Sequence, residues 1–127
     1  MRKKPNPLTR GELRIMEALW ERRRATVADV AAGLGRPPLA YTTVLTMLRI
    51  LEAKGVVGRD PDGRAHVYYP LVERDEAARS AVGEIVRSFF ANSKSALAVR
   101  LMSEARPSSD ELAAIKALVA RYEEGRS

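Results

Sequence analysis

The sequence predicts a mainly α chain with one small β-hairpin. Three observations carry that prediction. Apolar residues recur at helical spacing in stretch after stretch, a single pair of β-rich runs flanks a turn signal, and the excess basic charge is confined to the first part of the chain. Residues 1–71 hold 13 Lys and Arg against 7 Asp and Glu, whereas residues 72–127 hold 9 against 9. A basic module joined to a neutral one fits a chain whose first part alone meets a polyanion, and it also fits a merely solvated basic surface. With 127 residues, 46% of them hydrophobic, the chain can build one domain with a core, or a small domain plus an appendage. The charge shift places a boundary near Leu71–Glu73, dividing residues 1–72 from residues 73–127.

The first helix opens at Thr9, which forms a capping box with Glu12, and Leu8 and Leu13 stand at the positions of a hydrophobic staple. Leu13, Met16, Leu19 and Trp20 repeat on its inward face, and Arg22, Arg23 and Arg24 close it near the negative end of the helix dipole. The next run, "ATV", has room only for a very short strand. Thr26 with Asp29 starts a second helix, whose inner face is Val27, Val30, Ala31 and Leu34. Gly33 and Gly35 stop it, and "RPPL" keeps it from running on. The third helix spans Leu39 to Gly55, ending in Lys54 and Gly55 as C-cap chemistry.

Two β-rich runs follow, Val56–Asp60 and Ala65–Tyr69, flanking "PDG". They predict a hairpin with Arg59 and Arg64 at its tip and Pro70 at its end. From Glu73 onward the pattern is helix alone. One long helix, about Asp75 to Ala91, carries Val82, Ile85, Val86, Phe89 and Phe90 as a stripe. Ser93 caps a short helix through Met102, and a second capping box, Ser108 with Glu111, opens a last one with Leu112, Ile115, Leu118, Val119 and Tyr122 at helical spacing.

Several classes of function are excluded early. The chain has no cysteine, which removes disulfides, thiol chemistry and the usual zinc knuckle. Its single histidine, His66, has no carboxylate cluster beside it, so neither a metal site nor a cofactor is expected. No carboxylate pair or nucleophile–base arrangement is evident, so the chain does not read as an enzyme. No apolar run is long enough to span a bilayer, and "MRKKPNPLTRG" lacks the apolar core of a signal peptide. The expectation is a reduced, cytoplasmic protein without membrane insertion.

The third helix carries the functional signal. At about 100° per residue, Val44, Met47, Leu48 and Leu51 share one side, while Thr42, Thr46, Arg49 and Ala53 share the other. A face that serves only solubility would carry Lys and Glu, which are better helix formers than threonine. Short hydroxyls and a single long cation instead let the helix backbone approach another surface. In a major groove, threonine can bond base edges or touch a thymine methyl, and arginine can reach guanine or phosphate. Alternatively, Thr42 and Thr43 serve only the helix start. Two short helices precede this one and a basic-tipped hairpin follows, which is the order of a winged helix-turn-helix with a recognition helix. The DNA-binding candidates are Tyr41, Thr42, Thr43, Thr46 and Arg49 on the helix, with Arg59, Arg64 and His66 on the hairpin. His66 faces the groove or fills a partly exposed strand site. Arg2, Lys3 and Lys4 form either an arm on the DNA backbone or an ordinary chain end.

The blocks "LTRGELRIMEALW", "YTTVLTMLRILEAKG" and "GRAHVYYPLV" resemble the signature of the penicillinase repressor family, in order from about Leu8 to Tyr122. The resemblance implies a sequence-specific transcriptional repressor that acts as a homodimer on an inverted-repeat operator in double-stranded DNA. It assigns Thr42, Thr43 and Thr46 to base reading and Arg64 to the wing. Well-known members carry an Arg before the leucine late in the recognition helix, where Ile50 stands here, with Arg49 one residue earlier. In the antibiotic-resistance members a regulatory protease cuts the C-terminal helices between Asn and Phe. A gap-free match anchored on "PSSDEL" puts Arg100 and Leu101 at that place, so the residue types of the cut differ. The cysteine-rich tail of the copper-responsive relatives has no counterpart.

The dimer has a reading from the residues as well. Phe89, Phe90, Leu97, Leu101, Leu118 and Tyr122 lie in a helical segment too short to bury them all in its own core, and a second copy would cover them. The alternative is that these helices fold back on the first module. Two rival functions remain from other classes: a winged helix used as a protein–protein interaction module, and a non-specific DNA binder.

Overall fold

The computed structural model of the chain describes residues 8–125. The basic arm of Arg2, Lys3 and Lys4 lies outside the described residues. Six helices and one hairpin follow in the order α1 (Arg10–Arg22), α2 (Val27–Gly33), α3 (Tyr41–Ala53), β1 (Val57–Asp62), β2 (Ala65–Pro70), α4 (Arg74–Phe89), α5 (Lys94–Glu104) and α6 (Ser109–Gly125). Two compact units result, Met1–Glu84 and Ile85–Ser127, with the division falling inside α4.

Local chemistry sets most of the helix ends. Both capping boxes of the first unit form: Glu12 N–H donates to Thr9 Oγ1 at 3.1 Å and Thr9 N–H to Glu12 Oε1 at 2.9 Å, with the same reciprocal pair at Thr26 and Asp29. Each satisfies two backbone N–H groups that the first turn of a helix would otherwise leave without partners. In α1 the inward face is Ile15, Met16, Leu19 and Trp20. Leu13 corrects the expected stripe, because it remains 40% exposed while Ile15 is fully buried in its stead.

The core of the first unit joins that face to Val30 of α2, to Val44, Leu48 and Leu51 of α3, and to Val57 and Tyr68 of the hairpin. Met47 is half-buried beside them. The short "ATV" strand is one antiparallel bridge, in which Ala25 and Tyr68 exchange N–H···O bonds of 3.0 and 2.8 Å. That exchange fastens the hairpin to the segment between α1 and α2.

The hairpin differs from its sequence reading at the turn. Asp62 pairs with Ala65 and Pro61 with His66, so "PD" belongs to β1 and the loop is Gly63–Arg64. Gly63 has φ +63°, and it occupies the first loop position, where a two-residue hairpin turn calls for a positive φ that glycine adopts without strain. Pro61, which has no N–H to give the ladder, is tolerated on β1, an edge strand of the two-stranded sheet.

In the second unit, α4 ends at Phe89, two residues before the expected end, where Ala91 and Asn92 take φ +49° and +66° and Asn92 N–H returns to Val86 O at 3.0 Å. Ser93 caps α5 through Ala96 N–H at 3.0 Å, and Ser108 and Glu111 form the expected box before α6. Apolar burial is the opposite of that in the first unit. Val86 is buried, Phe90 and Leu97 are half-buried, and neither α5 nor α6 buries any residue. Among the described residues, no helix is long and apolar enough to cross a membrane.

Candidate nucleic-acid interface

Helix α3 is seated through one face only. Val44, Leu48 and Leu51 are fully buried, and their spacing of four and three residues turns the opposite face outward. Thr42, Thr43, Thr46, Arg49 and Ala53 are all exposed, as is Tyr41 at the first position of the helix. Among the described residues Arg49 makes no ion pair. Leu45 is half-buried against the core and Ile50 is 44% exposed.

The N-cap of α3 is Ala40, which makes no side-chain hydrogen bond to the first turn. Thr42 and Thr43 therefore do not act as the N-cap, which weakens the reading that they serve only the helix start. With no acidic residue in that turn, the positive end of the helix dipole is also left uncompensated.

The far end of α3 is held against α1. Lys54 Nζ lies 2.8 Å from Glu12 Oε1, and the Glu12 side chain is only 7% exposed. Burial would push this carboxyl up, but the Lys54 ammonium and the Thr9 N–H and hydroxyl together hold it below its ordinary value. An ion pair with little water around it thus connects the cap of α1 to the C-terminus of α3. The cap of α2 is also charged: the Thr26 backbone N–H, and then its hydroxyl, lower the Asp29 carboxyl.

The hairpin stands beside α3 as the wing. Arg64 occupies its loop and is exposed, as the sequence reading expects. Arg59 is not at the tip. It pairs across the strands with Tyr68, and its Nε lies 3.4 Å from Glu52 Oε2 at the end of α3. The misplacement follows from the turn: moving the loop to Gly63–Arg64 leaves Arg59 mid-strand. His66 is exposed on β2, opposite Pro61.

The base of the wing contains residues that pattern reading missed. Gly58 faces Tyr69 in the ladder, and a Cβ on Gly58 would come within 2.5 Å of the Tyr69 ring, so the ring lies over the glycine. Arg24 stacks on that ring at 5.4 Å and ion-pairs with Asp60 at 3.1 Å. The sequence signal available was the glycine opposite an aromatic in a short hairpin. At the other end of the unit, Trp20 Nε1 donates to Val72 O at 2.9 Å, Arg74 stacks on the indole at 4.8 Å, and Arg23 pairs with Glu73 at 2.8 Å. These contacts fix the segment between β2 and α4 on α1.

Comparison with known proteins adds a family to this geometry. The penicillinase repressor family model matches residues 8–121. The transcriptional regulator BlaI of Mycobacterium tuberculosis is 36% identical over 117 residues, which cover 90% of this chain and 83% of that protein. The solution structure of the DNA-binding domain of the repressor BlaI superposes with a TM-score of 0.51 at 27% identity, covering 60% of this chain and 93% of that one. The monomeric form of Bacillus licheniformis BlaI, in complex with the blaP half-operator, superposes at 0.49 with 26% identity, covering 59% and 93%.

Proposed function

The chain belongs to the penicillinase repressor family and is a winged-helix transcriptional repressor acting on operator DNA, and we propose that it does so as a homodimer reading an inverted repeat. In this proposal residues 1–72 bind DNA and residues 73–127 make the dimer. The observation that carries the reading is the two-sided character of α3. Three fully buried aliphatics seat the helix, and its opposite face offers Thr42, Thr46 and Arg49 with no long acidic side chain among them. That face enters the major groove with Thr42, Thr43 and Thr46 as its base readers, Tyr41 stands at the uncapped helix start, and Arg64 reaches a phosphate across the wing. His66 lies on the exposed side of the same wing.

The dimer is supported by the exposed apolar residues of α4 and α6. Ile115, Leu118, Val119 and Tyr122 share α6 and are 39–69% exposed, and Val82, Ile85 and Phe89 of α4 are 42–80% exposed. So much exposed apolar surface at helical spacing is the composition of an interface core. A symmetric pair of reading heads then matches a palindromic operator, with half-sites about 34 Å apart or a multiple of that. Relief of repression by a protease would act at Arg100–Leu101, both exposed in α5, after that helix unwinds locally.

Selection of bound duplexes from a random pool, at near-physiological salt with competitor present, tests the proposal. An inverted repeat is the expected product. Enrichment of a single half-site would refute the dimeric reading, and no enrichment by a folded protein would refute specific recognition and leave the interaction module or the non-specific binder.

A further inference from the structure

Helix α3 can read bases only if its first turn is held in place, and the sequence supplies no cap to do it. Ala40 at the N-cap makes no side-chain bond, and the preceding loop contains Pro37 and Pro38, which have no N–H with which to build a turn of their own. A residue from a different helix reaches into this gap. Arg14, half-buried on α1, sends Nη2 to Pro37 O at 2.5 Å and to Leu34 O at 3.4 Å. One guanidinium thereby spans the loop from the C-cap of α2 to the approach of α3.

We propose that Arg14 is a positioning residue for sequence recognition, fixing the α2–α3 loop and through it the first turn of α3, without touching DNA. The inference rests on the reading of α3 as the recognition helix. Both bonds come from the one Nη2 group, whose two N–H donors are enough for the two carbonyls, at the end of a stem long enough to reach the loop from α1. The nearby cations are solvent-facing by comparison. Arg36, in the same loop, is exposed and makes no ion pair among the described residues. Arg14 is engaged inward instead.

The test compares full-length wild type with Arg14→Met, which keeps the stem and removes every donor, and with Arg14→Lys, which keeps the charge. Each is titrated with the duplex obtained by pool selection and with a scrambled duplex of the same length, over a range of salt concentrations, with thermal melts in parallel. Arg14→Met is expected to lose about tenfold or more in affinity for the selected duplex. Its affinity for the scrambled duplex and its salt slope should match wild type. Arg14→Lys should fall between the two, because its charge and donors are preserved on a shorter side chain that does not place them where Nη2 lies.

Equal loss on both duplexes, with the salt slope reduced by about one, would make Arg14 a phosphate contact and overturn the proposal. Undiminished selectivity in a folded Arg14→Met would also overturn it. Should Arg14→Met fail to fold, Arg14→Lys decides: a several-fold loss of selectivity supports positioning, and wild-type selectivity refutes it. A wild type that does not discriminate between the duplexes would refute the recognition reading itself, an outcome separate from any effect of Arg14.

Discussion

Glu12 shows how much one side chain can carry. It closes the capping box of α1, accepts from Lys54 at the end of α3, and is nearly inaccessible to water. Lys54→Met leaves a buried carboxylate with only its Thr9 donors, and unfolding in urea should show a loss of about 2–3 kcal/mol. The folded carboxyl sits below its ordinary value of 4.5, so its contribution is complete above that pH and is lost as pH falls through the lower folded value. Stability of the wild type should therefore drop on acidification more steeply than that of Glu12→Gln, with Asp29 and Glu73 adding a background of the same sign to both. At the reading face, Thr46→Glu should reduce binding to the selected operator by at least about a hundredfold, through lost base contacts and phosphate repulsion, with an unchanged melt. The exposed threonine face of α3 was legible in the sequence because threonine is the wrong type for a merely solvated helix face. Arg14 was not, because its partners are backbone carbonyls, to which a sequence pattern gives no clue.

Among the elements, helices were the most legible and the wing the least. All four predicted caps that rest on Ser or Thr are formed, since a capping box is a contact between residues three apart and needs no tertiary help. Thr26→Ala removes one of them from a seven-residue helix and should cost about 1 kcal/mol in chemical denaturation. In isolation "PDG" is a good turn signal, and it sets the hairpin turn two residues early. The register that buries Val57, Val67 and Tyr68 instead extends β1 through Asp62. That shift divides the two wing arginines. Arg64→Ala should lower the salt slope of DNA binding by about one, whereas Arg59→Ala should leave the slope alone, because Arg59 is committed to Glu52. Reduced slopes in both variants would return Arg59 to the DNA side.

For the whole molecule, the two units differ in what they bury. The first has a closed core, whereas neither of the last two helices has a fully buried residue. A single polar replacement in the middle of the exposed α6 stripe, Leu118→Asp, should give a monomer in sedimentation with its helix content largely retained. Its operator affinity should fall by roughly a hundredfold or more, because two half-sites held by one dimer bind with an effective concentration that separate monomers lack. Sedimentation identical to wild type would move the dimer surface elsewhere. Arg23, Trp20 and Arg74 hold the start of α4 on α1, so such a variant should leave the reading head and its half-site contacts intact.

The order of helices, their caps, the one hairpin and the two-sided α3 can be read along the chain, because each depends on residues close to one another in sequence. The chain also carries the family signature along nearly its full length. Which arginines are paired within the fold and which face outward depends on contacts between elements far apart in the chain. Arg59 is drawn to Glu52, Arg24 to Asp60 and Tyr69, and Arg14 to the loop before α3, while Arg49 and Arg64 remain outward. The reason is reach. A guanidinium on a long flexible stem selects its partner from whatever the fold brings within a few ångströms, and those partners lie 7 to 45 residues away along the chain.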